Sequence, residues 1–359
     1  MIFLEKIPLI SICIPNYNYA SYLIECLESV LNQTYRDFEV IFRDNASTDC
    51  SFEIAQLYRD KFLKQGIPFK IGKNPQNLGS DRNSELCAME SRGKYRLILA
   101  SDDLLYPSFL EETVSILEQY PNVSMVMTHR DEIDESGVQL TSVPFYNTSC
   151  IIPGEQQAAV FMKSGIAIPG QRIMRVSSIE QVKEWICTFQ VANDWYYNAL
   201  MSCVGDIAYL NKPLMKYRVH SENETNESEN NMTAVMEHYQ IIHKIAKVTS
   251  QYGYHLPQER LSESIQKLGS MCLRYGFKML NTDKISIAKK YLNLSKVFDE
   301  NIEENEVYQS LFQAIKSENT ATSNERSLKR TPILQRQISY SPPAGSITLI
   351  SYREKEAIE

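Results

Sequence analysis

Residues 38–64 read FEVIFRDNASTDCSFEIAQLYRDKFLK, and this stretch decides the fold class. Phe38–Phe42 is a short, largely apolar run with β-branched residues, which predicts a buried strand. The polar turn Asp44–Asp49 follows it, and Ser51–Lys64 has the apolar spacing of a helix. A strand followed at once by a turn and a helix is the repeating unit of a sheet that is covered by helices.

The same unit recurs on both sides of this stretch. Strand-like and helix-like segments alternate from Leu9 to Thr128, and Ser21 is the predicted cap of the first helix. This alternation predicts an α/β fold with a mostly parallel, doubly wound sheet and right-handed crossovers. The other predicted strands are Leu9–Ile14, Phe69–Ile71, Tyr95–Leu99 and Val123–Thr128.

Beyond Thr128 the alternation fades and the composition divides the chain further. We predict a turn at Asp134–Gly137, a strand at Asp206–Leu210 that stops before Asn211-Lys212-Pro213, and a mobile loop at Ser221–Asn231. Helical periodicity returns from about Thr233 to Lys316, and the rest is rich in Ser, Thr, Arg and Pro. The predicted parts are an α/β half (1–130), a second half of the same domain (131–231), a helical extension (232–316) and a disordered tail (317–359).

Composition excludes some classes of protein. A net charge of −7 over 359 residues argues against nucleic-acid binding, because neutralising phosphates requires a basic surface. The eight cysteines form no C-x-x-C pair, which favours a reducing compartment without structural zinc. Without a signal peptide or a long apolar run, we expect a cytoplasmic protein. A basic cluster in the tail indicates either a solvated segment or peripheral contact with the inner face of a membrane: Arg326, Lys329, Arg330 and Arg336.

Polar clusters follow three predicted strands, at residues 15–18, 44–49 and 101–103. Ligands bind beyond the carboxyl ends of the strands in a doubly wound sheet, so these clusters mark the predicted site. The adjacent carboxylates of Asp102 and Asp103 suit Mn²⁺ or Mg²⁺ when a diphosphate completes the coordination. The structural alternative is that Asp102 caps the next helix and Asp103 is merely solvated.

Four further residues have both a functional and a structural interpretation. Asp44 could accept a hydrogen bond from a nucleobase or form an Asx turn. Asp194 could be a general base or the N-cap of a helix. Arg82 could contact phosphate or be an ordinary surface arginine. His220, beside Arg218, could reach a metal ion or diphosphate, although an isolated histidine is more often structural.

Seven segments in order resemble the family-2 nucleotide-sugar glycosyltransferases, which have the GT-A fold. The resemblance spans roughly residues 7 to 221 and leaves the C-terminal third uncovered. Each motif alone is weak, but their order makes chance a poor explanation. The segments are Ile12–Asn18, Leu23–Tyr35, Phe38–Ser51, Asn77–Asn83, Ile98–Pro107, Asn193–Trp195 and Leu214–His220.

The resemblance implies an inverting, metal-dependent enzyme that moves a sugar from a uridine or deoxythymidine diphosphate donor to a hydroxyl of a growing polysaccharide or glycolipid. Residues 1–130 would bind the nucleotide sugar and residues 131–231 the acceptor. Asp194 would be the general base, and Asp103 with Asp102 would hold Mn²⁺ or Mg²⁺, with His220 as a third candidate ligand. The residues expected at the nucleotide sugar are Pro15, Tyr17, Asp44, Asn45, Arg82 and Asp102.

Two positions depart from the family pattern. Ala100 stands where many relatives carry a third acid, and Asn193 stands where an acid commonly precedes the base. Two rival hypotheses stay open: a catalytically silent domain that binds a nucleotide sugar or a partner protein, and a nucleotidyltransferase. A nucleotidyltransferase also uses paired acids and metal, but it usually carries a Gly-rich basic loop, which Pro15–Asn18 is not.

Overall fold

A computed structural model of the chain describes residues 7, 9–182, 189, 192–220, 225–318 and 338–349. Within these residues, one mixed sheet of eleven strands is flanked by helices. The strands are β1 (Ile10–Asn16), β2 (Phe38–Asp44), β3 (Phe69–Lys73), β4 (Tyr95–Ile98), β5 (Leu104–Leu105), β6 (Val123–Ile133), β7 (Gln139–Leu140), β8 (Cys150–Ile152), β9 (Arg172–Arg175), β10 (Asp206–Arg218) and β11 (Ile347–Thr348).

Thirteen α-helices accompany the described strands. They are α1 (Ala20–Leu31), α2 (Ser51–Lys64), α3 (Ser80–Met89), α4 (Phe109–Gln119), α5 (Gly154–Phe161), α6 (Val176–Ile179), α7 (Asn193–Ser202), α8 (Thr225–Asn230), α9 (Thr233–Gln251), α10 (Leu256–Glu259), α11 (Leu261–Asn281), α12 (Ile285–Phe298) and α13 (Glu306–Glu318). None of these described helices is long and apolar enough to cross a bilayer.

The sheet has the strand order β3-β2-β1-β4-β9-β6-β10-β8-β11. Strands β1 to β4 run parallel to one another, and β6 is parallel to β10. Strand β9 lies antiparallel between β4 and β6, so it joins the two parallel groups into one sheet. The predicted α/β fold with a mostly parallel sheet is therefore confirmed. Strand β6 crosses the predicted division at residue 130.

The first helix shows how the polar turn after β2 supports the fold. Its apolar stripe is buried as predicted, with Leu23 and Leu27 completely inaccessible. The predicted cap at Ser21 is wrong, because α1 already begins at Ala20. The Oδ2 atom of Asp49 accepts a hydrogen bond from the Ala20 amide at 2.9 Å, so the turn satisfies one of the free N–H groups of the helix start.

Strand β10 continues through the segment where a break was predicted. Asn211-Lys212-Pro213 lies inside it, and the register against β6 shifts on both sides of Pro213. Proline cannot donate a ladder hydrogen bond, so a bulge is the place where a strand tolerates it. The strand therefore extends as far as Arg218.

The Glu- and Asn-rich stretch predicted as a mobile loop forms helix α8 over Thr225–Asn230, while residues 221–224 lie outside the described residues. Contacts with the C-terminal helices explain the difference. The Tyr291 hydroxyl donates to the Glu229 carbonyl at 2.6 Å, and the Glu229 side chain pairs with Lys278. The stretch folds because helices far along the chain supply its partners.

Part of the predicted tail also has a defined structure, contrary to the prediction. The Tyr340 amide donates to the Phe145 carbonyl at 2.8 Å, and β11 pairs with β8. These contacts are long-range, so local composition could not reveal them. The basic cluster at residues 326–336 lies outside the described residues.

Candidate functional site

Two of the three polar clusters meet where β1 and β2 end. Asn16 and Asp44, the last residues of these strands, are opposite each other in the parallel register. Strand β4 is the other neighbour of β1 and leads to Asp102 and Asp103. The predicted convergence of the clusters at one edge of the sheet is confirmed, because parallel neighbouring strands end on the same side.

Asp44 is completely buried in this arrangement. Its Oδ2 accepts the Ser47 amide at 2.9 Å, and its Oδ1 accepts the Asn16 side-chain amide at 3.2 Å. The Lys73 ammonium lies 3.8 Å from Oδ2 and partly neutralises the charge. The turn interpretation of Asp44 is therefore correct, and the contact with a nucleobase stays a prediction. Ala46 in the same turn has φ of 62°, a left-handed conformation that alanine rarely adopts.

A network of side-chain amides forms the floor beside this turn. The Asn45 amide donates to Asn77 Oδ1 at 2.8 Å, while Asn45 Oδ1 accepts from Asn74 at 2.8 Å. Asn74 also donates to Asn83 Oδ1 at 2.9 Å. Asn45, Asn74 and Asn83 are each 2% exposed, so the network is buried and its bonds fix the loop geometry. Sequence reasoning gave no role to Asn74 and Asn83, because isolated asparagines carry no recognisable spacing.

The acidic pair is buried at the same edge. Asp102 is 5% exposed and Asp103 is 1% exposed, so the solvated interpretation of Asp103 is wrong. The next helix begins at Phe109, and Asp102 therefore does not cap it. Burial, followed by the negative charge of Asp102, raises the pKa of Asp103 well above its usual value. Two carboxylates held together out of water form a site that a cation would stabilise.

His220 joins the acidic pair from the end of the acceptor half. Its Nε2 lies 3.0 Å from Oδ2 of Asp102, and its ring packs against those of Tyr19 and Tyr22. The structure thus brings His220 into contact with Asp102, whose neighbour in the chain, Asp103, is also buried. The described residues contain no cluster of three or more His, Cys, Asp or Glu suited to a metal ion. These side chains would fit a divalent cation whose remaining ligands come from a diphosphate.

Arg218 holds the acidic pair in place, and it is 1% exposed. Its backbone amide donates to Asp103 Oδ1 at 2.9 Å, and its Nε donates to the Asp102 carbonyl at 3.0 Å. The guanidinium also pairs with Glu25 on α1 at 2.7 Å. One arginine therefore links the end of β10 to the acidic loop and to the first helix. The sequence placed Arg218 beside His220, but it did not show this positioning role.

Asp194 lies in the first turn of α7, on the wall of a cavity of about 1550 Å³. Ala192 is the N-cap of this helix, so the capping interpretation of Asp194 is wrong. Burial raises the pKa of the Asp194 carboxyl, and the charges of Arg172 and Arg130 oppose this rise. The cavity is bounded by residues of the segment 129–195, by α11 and by residues of the segment 338–343. A partly buried carboxylate facing a large cavity has the position required of a general base.

Arg130 is a residue that sequence reasoning missed. It lines the cavity of Asp194, and its positive charge lowers the pKa of both Asp194 and Asp103 against the larger effect of burial. Its guanidinium donates to Gln171 Oε1 at 2.9 Å and lies over the Tyr217 ring. The charge of Arg130 therefore acts on a carboxylate of the acidic pair and on the carboxylate of the cavity wall.

The other residues that were predicted at the nucleotide sugar lie in two different places, at the end of β1 and on α3. Pro15 and Tyr17 lie at the end of β1, and Tyr17 is 41% exposed. Arg82 pairs with Glu85 at 2.5 Å, and its side chain is 51% exposed. The structure thus places Arg82 on the surface of α3, and its contact with phosphate stays a prediction.

Comparison with known proteins identifies relatives of the chain. Residues 11–183 match the family model described as Glycosyl transferase family 2. Chondroitin synthase of Escherichia coli is 36% identical over 141 residues, which are 37% of this chain and 19% of the relative. Abequosyltransferase RfbV of Salmonella typhimurium is 38% identical over 31% of this chain and 32% of its own length. The matched regions thus span 19% of the length of the chondroitin synthase and 32% of the length of the abequosyltransferase.

A third relative is matched over a longer region. The uncharacterized glycosyltransferase RP339 of Rickettsia prowazekii is 27% identical over 63% of this chain and 68% of its own length. This match of 232 residues is longer than the 173-residue region of the family model.

Solved structures with the same fold cover most of the chain. Staphylococcus aureus TarS 1–349 in complex with UDP-GlcNAc has a TM-score of 0.58 at 13% identity and covers 86% of this chain and 92% of its own. The mannosyltransferase PcManGT of Pyrobaculum calidifontis, in complex with GDP-Man and Mn²⁺, has a TM-score of 0.54 at 12% identity and covers 91% and 89%. Residues 11–183 therefore match glycosyltransferase family 2, and the chain has the GT-A fold of these solved structures.

Proposed function

We propose that the chain is an inverting glycosyltransferase that moves a sugar from a nucleotide diphosphate donor to a hydroxyl of a polysaccharide or glycolipid acceptor. The observation that carries this proposal is the presence of two distinct carboxylate sites, both of which are influenced by the charge of Arg130. Asp102 and Asp103 lie at the edge of the sheet, and Asp194 faces the cavity. A transferase needs this separation, because the leaving group and the attacking hydroxyl lie on opposite faces of the sugar.

In the proposed reaction, Asp194 accepts the proton of the acceptor hydroxyl. The acceptor oxygen then attacks the anomeric carbon while the bond to the diphosphate breaks, so the anomeric configuration is inverted. Asp103, Asp102 and His220 would hold Mn²⁺ or Mg²⁺, which neutralises charge on the departing diphosphate. Arg218 holds these two aspartates in place. Its backbone amide donates to the Asp103 carboxylate, and its Nε donates to the Asp102 carbonyl.

The nucleotide is proposed to be uridine or deoxythymidine diphosphate. The turn after β2 and the amide network beside it form a rigid, polar floor for a nucleoside, with Tyr17 exposed beside it. The similar TarS and PcManGT structures contain UDP-GlcNAc and GDP-Man, so guanosine donors belong in the same test.

The test is a panel of uridine, deoxythymidine and guanosine diphosphate sugars, each with Mn²⁺, with Mg²⁺ and with a chelator. Thermal unfolding reports binding, because a ligand that binds only the folded state raises the midpoint. We expect one donor to raise the midpoint in the presence of metal and to be hydrolysed slowly without acceptor. Stabilisation without any hydrolysis would favour a catalytically silent binding domain, and no stabilisation by any donor would refute the proposal.

A further inference from the structure

The cavity beside Asp194 has a more positive wall than the composition of the chain suggests. The whole chain has a net charge of −7. The wall nevertheless carries six lysine or arginine side chains against four carboxylates. The six cationic residues are Arg130, Lys163, Arg260, Lys267, Arg274 and Lys278.

Most of these cations are already neutralised by a carboxylate on the same wall. The ion pairs are Arg130 with Glu132, Lys163 and Arg260 with Glu263, and Lys278 with Glu229. Over the ranges that the structure describes, Lys267 and Arg274 have no carboxylate within 4.0 Å. Among the described residues, two positive charges on the cavity wall therefore have no carboxylate at ion-pair distance.

Both residues belong to one stripe of helix α11. Lys267, Met271, Arg274 and Lys278 recur every three or four residues and all line the cavity. The spacing places them on one face of the helix, and Lys267 and Lys278 are about 16 Å apart along its axis. Asp194 belongs to α7, a different wall of the same cavity. The stripe is long enough to contact several units of an extended chain.

One residue of the stripe, Lys267, lies in surroundings that disfavour its positive charge. Loss of hydration, followed by the positive charges of Lys163 and Arg274, lowers the pKa of Lys267. A bound anion would remove this repulsion and would accept charge-assisted hydrogen bonds from both side chains. A neutral saccharide would leave the two cations uncompensated.

We propose that the acceptor of this enzyme is negatively charged, with carboxylate or phosphate groups that bind Lys267 and Arg274 while its hydroxyl reaches Asp194. This inference rests on the proposed function, because it names the acceptor class of the same active site. Carboxylates and phosphates share the recognition chemistry, so the experiment separates them.

The experiment measures binding of two anionic probes to the full chain by calorimetry. Tetragalacturonic acid carries carboxylates, and its methyl ester is the matched neutral control; tripolyphosphate carries phosphates. We expect at least one anion to bind, and binding to weaken about tenfold for each cation removed in Lys267→Gln and Arg274→Gln. The double variant Lys247→Gln/Lys290→Gln removes two exposed lysines outside the cavity wall and is expected to bind like the unaltered chain.

Each outcome decides a different point. Binding of tetragalacturonic acid alone identifies carboxylates, binding of tripolyphosphate alone identifies phosphates, and binding of both identifies a general anion site. The inference is overturned if the acid and its methyl ester bind equally well. It is also overturned if neither Lys267→Gln nor Arg274→Gln changes the binding. If Lys267→Gln does not fold, Arg274→Gln at an exposed helix position gives the same test.

Failure of the inference is distinguishable from failure of the proposed function. Metal-dependent donor binding and donor hydrolysis are measured on the unaltered chain without any acceptor. Donor hydrolysis without selective anion binding would leave a glycosyltransferase with a neutral acceptor. Absence of donor binding would remove the proposed function itself.

Discussion

The donor edge of the sheet and the acceptor cavity are built in different ways. At the donor edge, Asp44, Asn45, Asn74 and Asn83 are almost completely buried and bonded to one another. The acceptor cavity measures about 1550 Å³, and Lys267 and Arg274 on its wall lack a carboxylate partner among the described residues. The first region is preorganised by its own contacts, and the second offers charges that a ligand can neutralise.

This difference indicates how specificity is divided. A buried polar network holds a single geometry, which suits a donor group that must be placed accurately. If the proposed acceptor binds there, we expect the large cavity to admit chains of different length and to select them by charge. Substitutions at the donor edge should therefore impair folding or donor binding, whereas substitutions in the cavity should act on transfer.

The largest expected effect is in the cavity. Asp194→Asn should lower the rate of transfer by about 10²- to 10⁴-fold, because the amide cannot accept the acceptor proton. Donor affinity, measured by metal-dependent thermal stabilisation, should stay unchanged. The control Asp60→Asn removes the same charge from an exposed position on α2. A comparable loss of donor affinity in Asp194→Asn would contradict the separation of the two regions.

At the donor edge, Asp103→Ala should lower the rate of transfer by about 10²- to 10³-fold, since the charge that offsets the leaving diphosphate is held less well. In contrast to Asp194→Asn, this variant should also lose most of the stabilisation that donor and Mn²⁺ give together. Titration with donor at several Mn²⁺ concentrations checks the prediction. Unchanged turnover in Asp103→Ala would require another residue to hold the leaving group.

The raised pKa of Asp194 gives opposite pH dependences for activity and stability. Transfer needs the carboxylate and should be lost as the pH falls through the raised pKa. The folded state favours the protonated form, so the contribution of Asp194 to stability is present below the usual value of 3.8 and is lost as the pH rises through the folded pKa. Asp194→Asn should therefore be more stable than the unaltered chain at neutral pH, and this difference should vanish in acid. Urea unfolding of both proteins at several pH values measures it.

Arg218→Met should lower the free energy of unfolding by about 3 kcal/mol, because the Asp102 carbonyl loses its side-chain donor and Asp103 loses a nearby positive charge. Urea unfolding measures the change, and donor binding should weaken with it. Glu25→Gln is the matched control: its side chain is 58% exposed, so its loss should cost less than about 1 kcal/mol. Equal costs for the two variants would show that the pair with Glu25 is the main role of Arg218.

The smallest expected effect is at the turn after β2. Ala46→Gly should raise the free energy of unfolding by about 0.5 kcal/mol, because glycine adopts the left-handed conformation without a steric cost. Ala55→Gly, inside helix α2, should instead lower it by about 1 kcal/mol. A destabilised Ala46→Gly would show that the Ala46 side chain makes a contact that outweighs its strain.

The donor half could be predicted from the sequence because each of its signals is local. Helix α2 has the predicted bounds, and the polar clusters after β1, β2 and β4 lie at the edge that the parallel topology requires. The local signals were incomplete even there. Ser21 does not cap α1, because Asp49 of the turn bonds the helix start instead. Asn74 and Asn83 became recognisable only when their contacts were known.

By itself, the sequence determined the fold class, the family and the carboxylates that are candidates for catalysis, because strand-turn-helix units and strand-end motifs are written in neighbouring residues. Only the tertiary structure decided how Arg218 is placed against Asp102 and Asp103, and which cations surround the cavity of Asp194. Those arrangements join β10 to β4, and α11 to α7, across many residues of chain. Contacts between distant segments depend on how the elements pack, and no local pattern of residues encodes them.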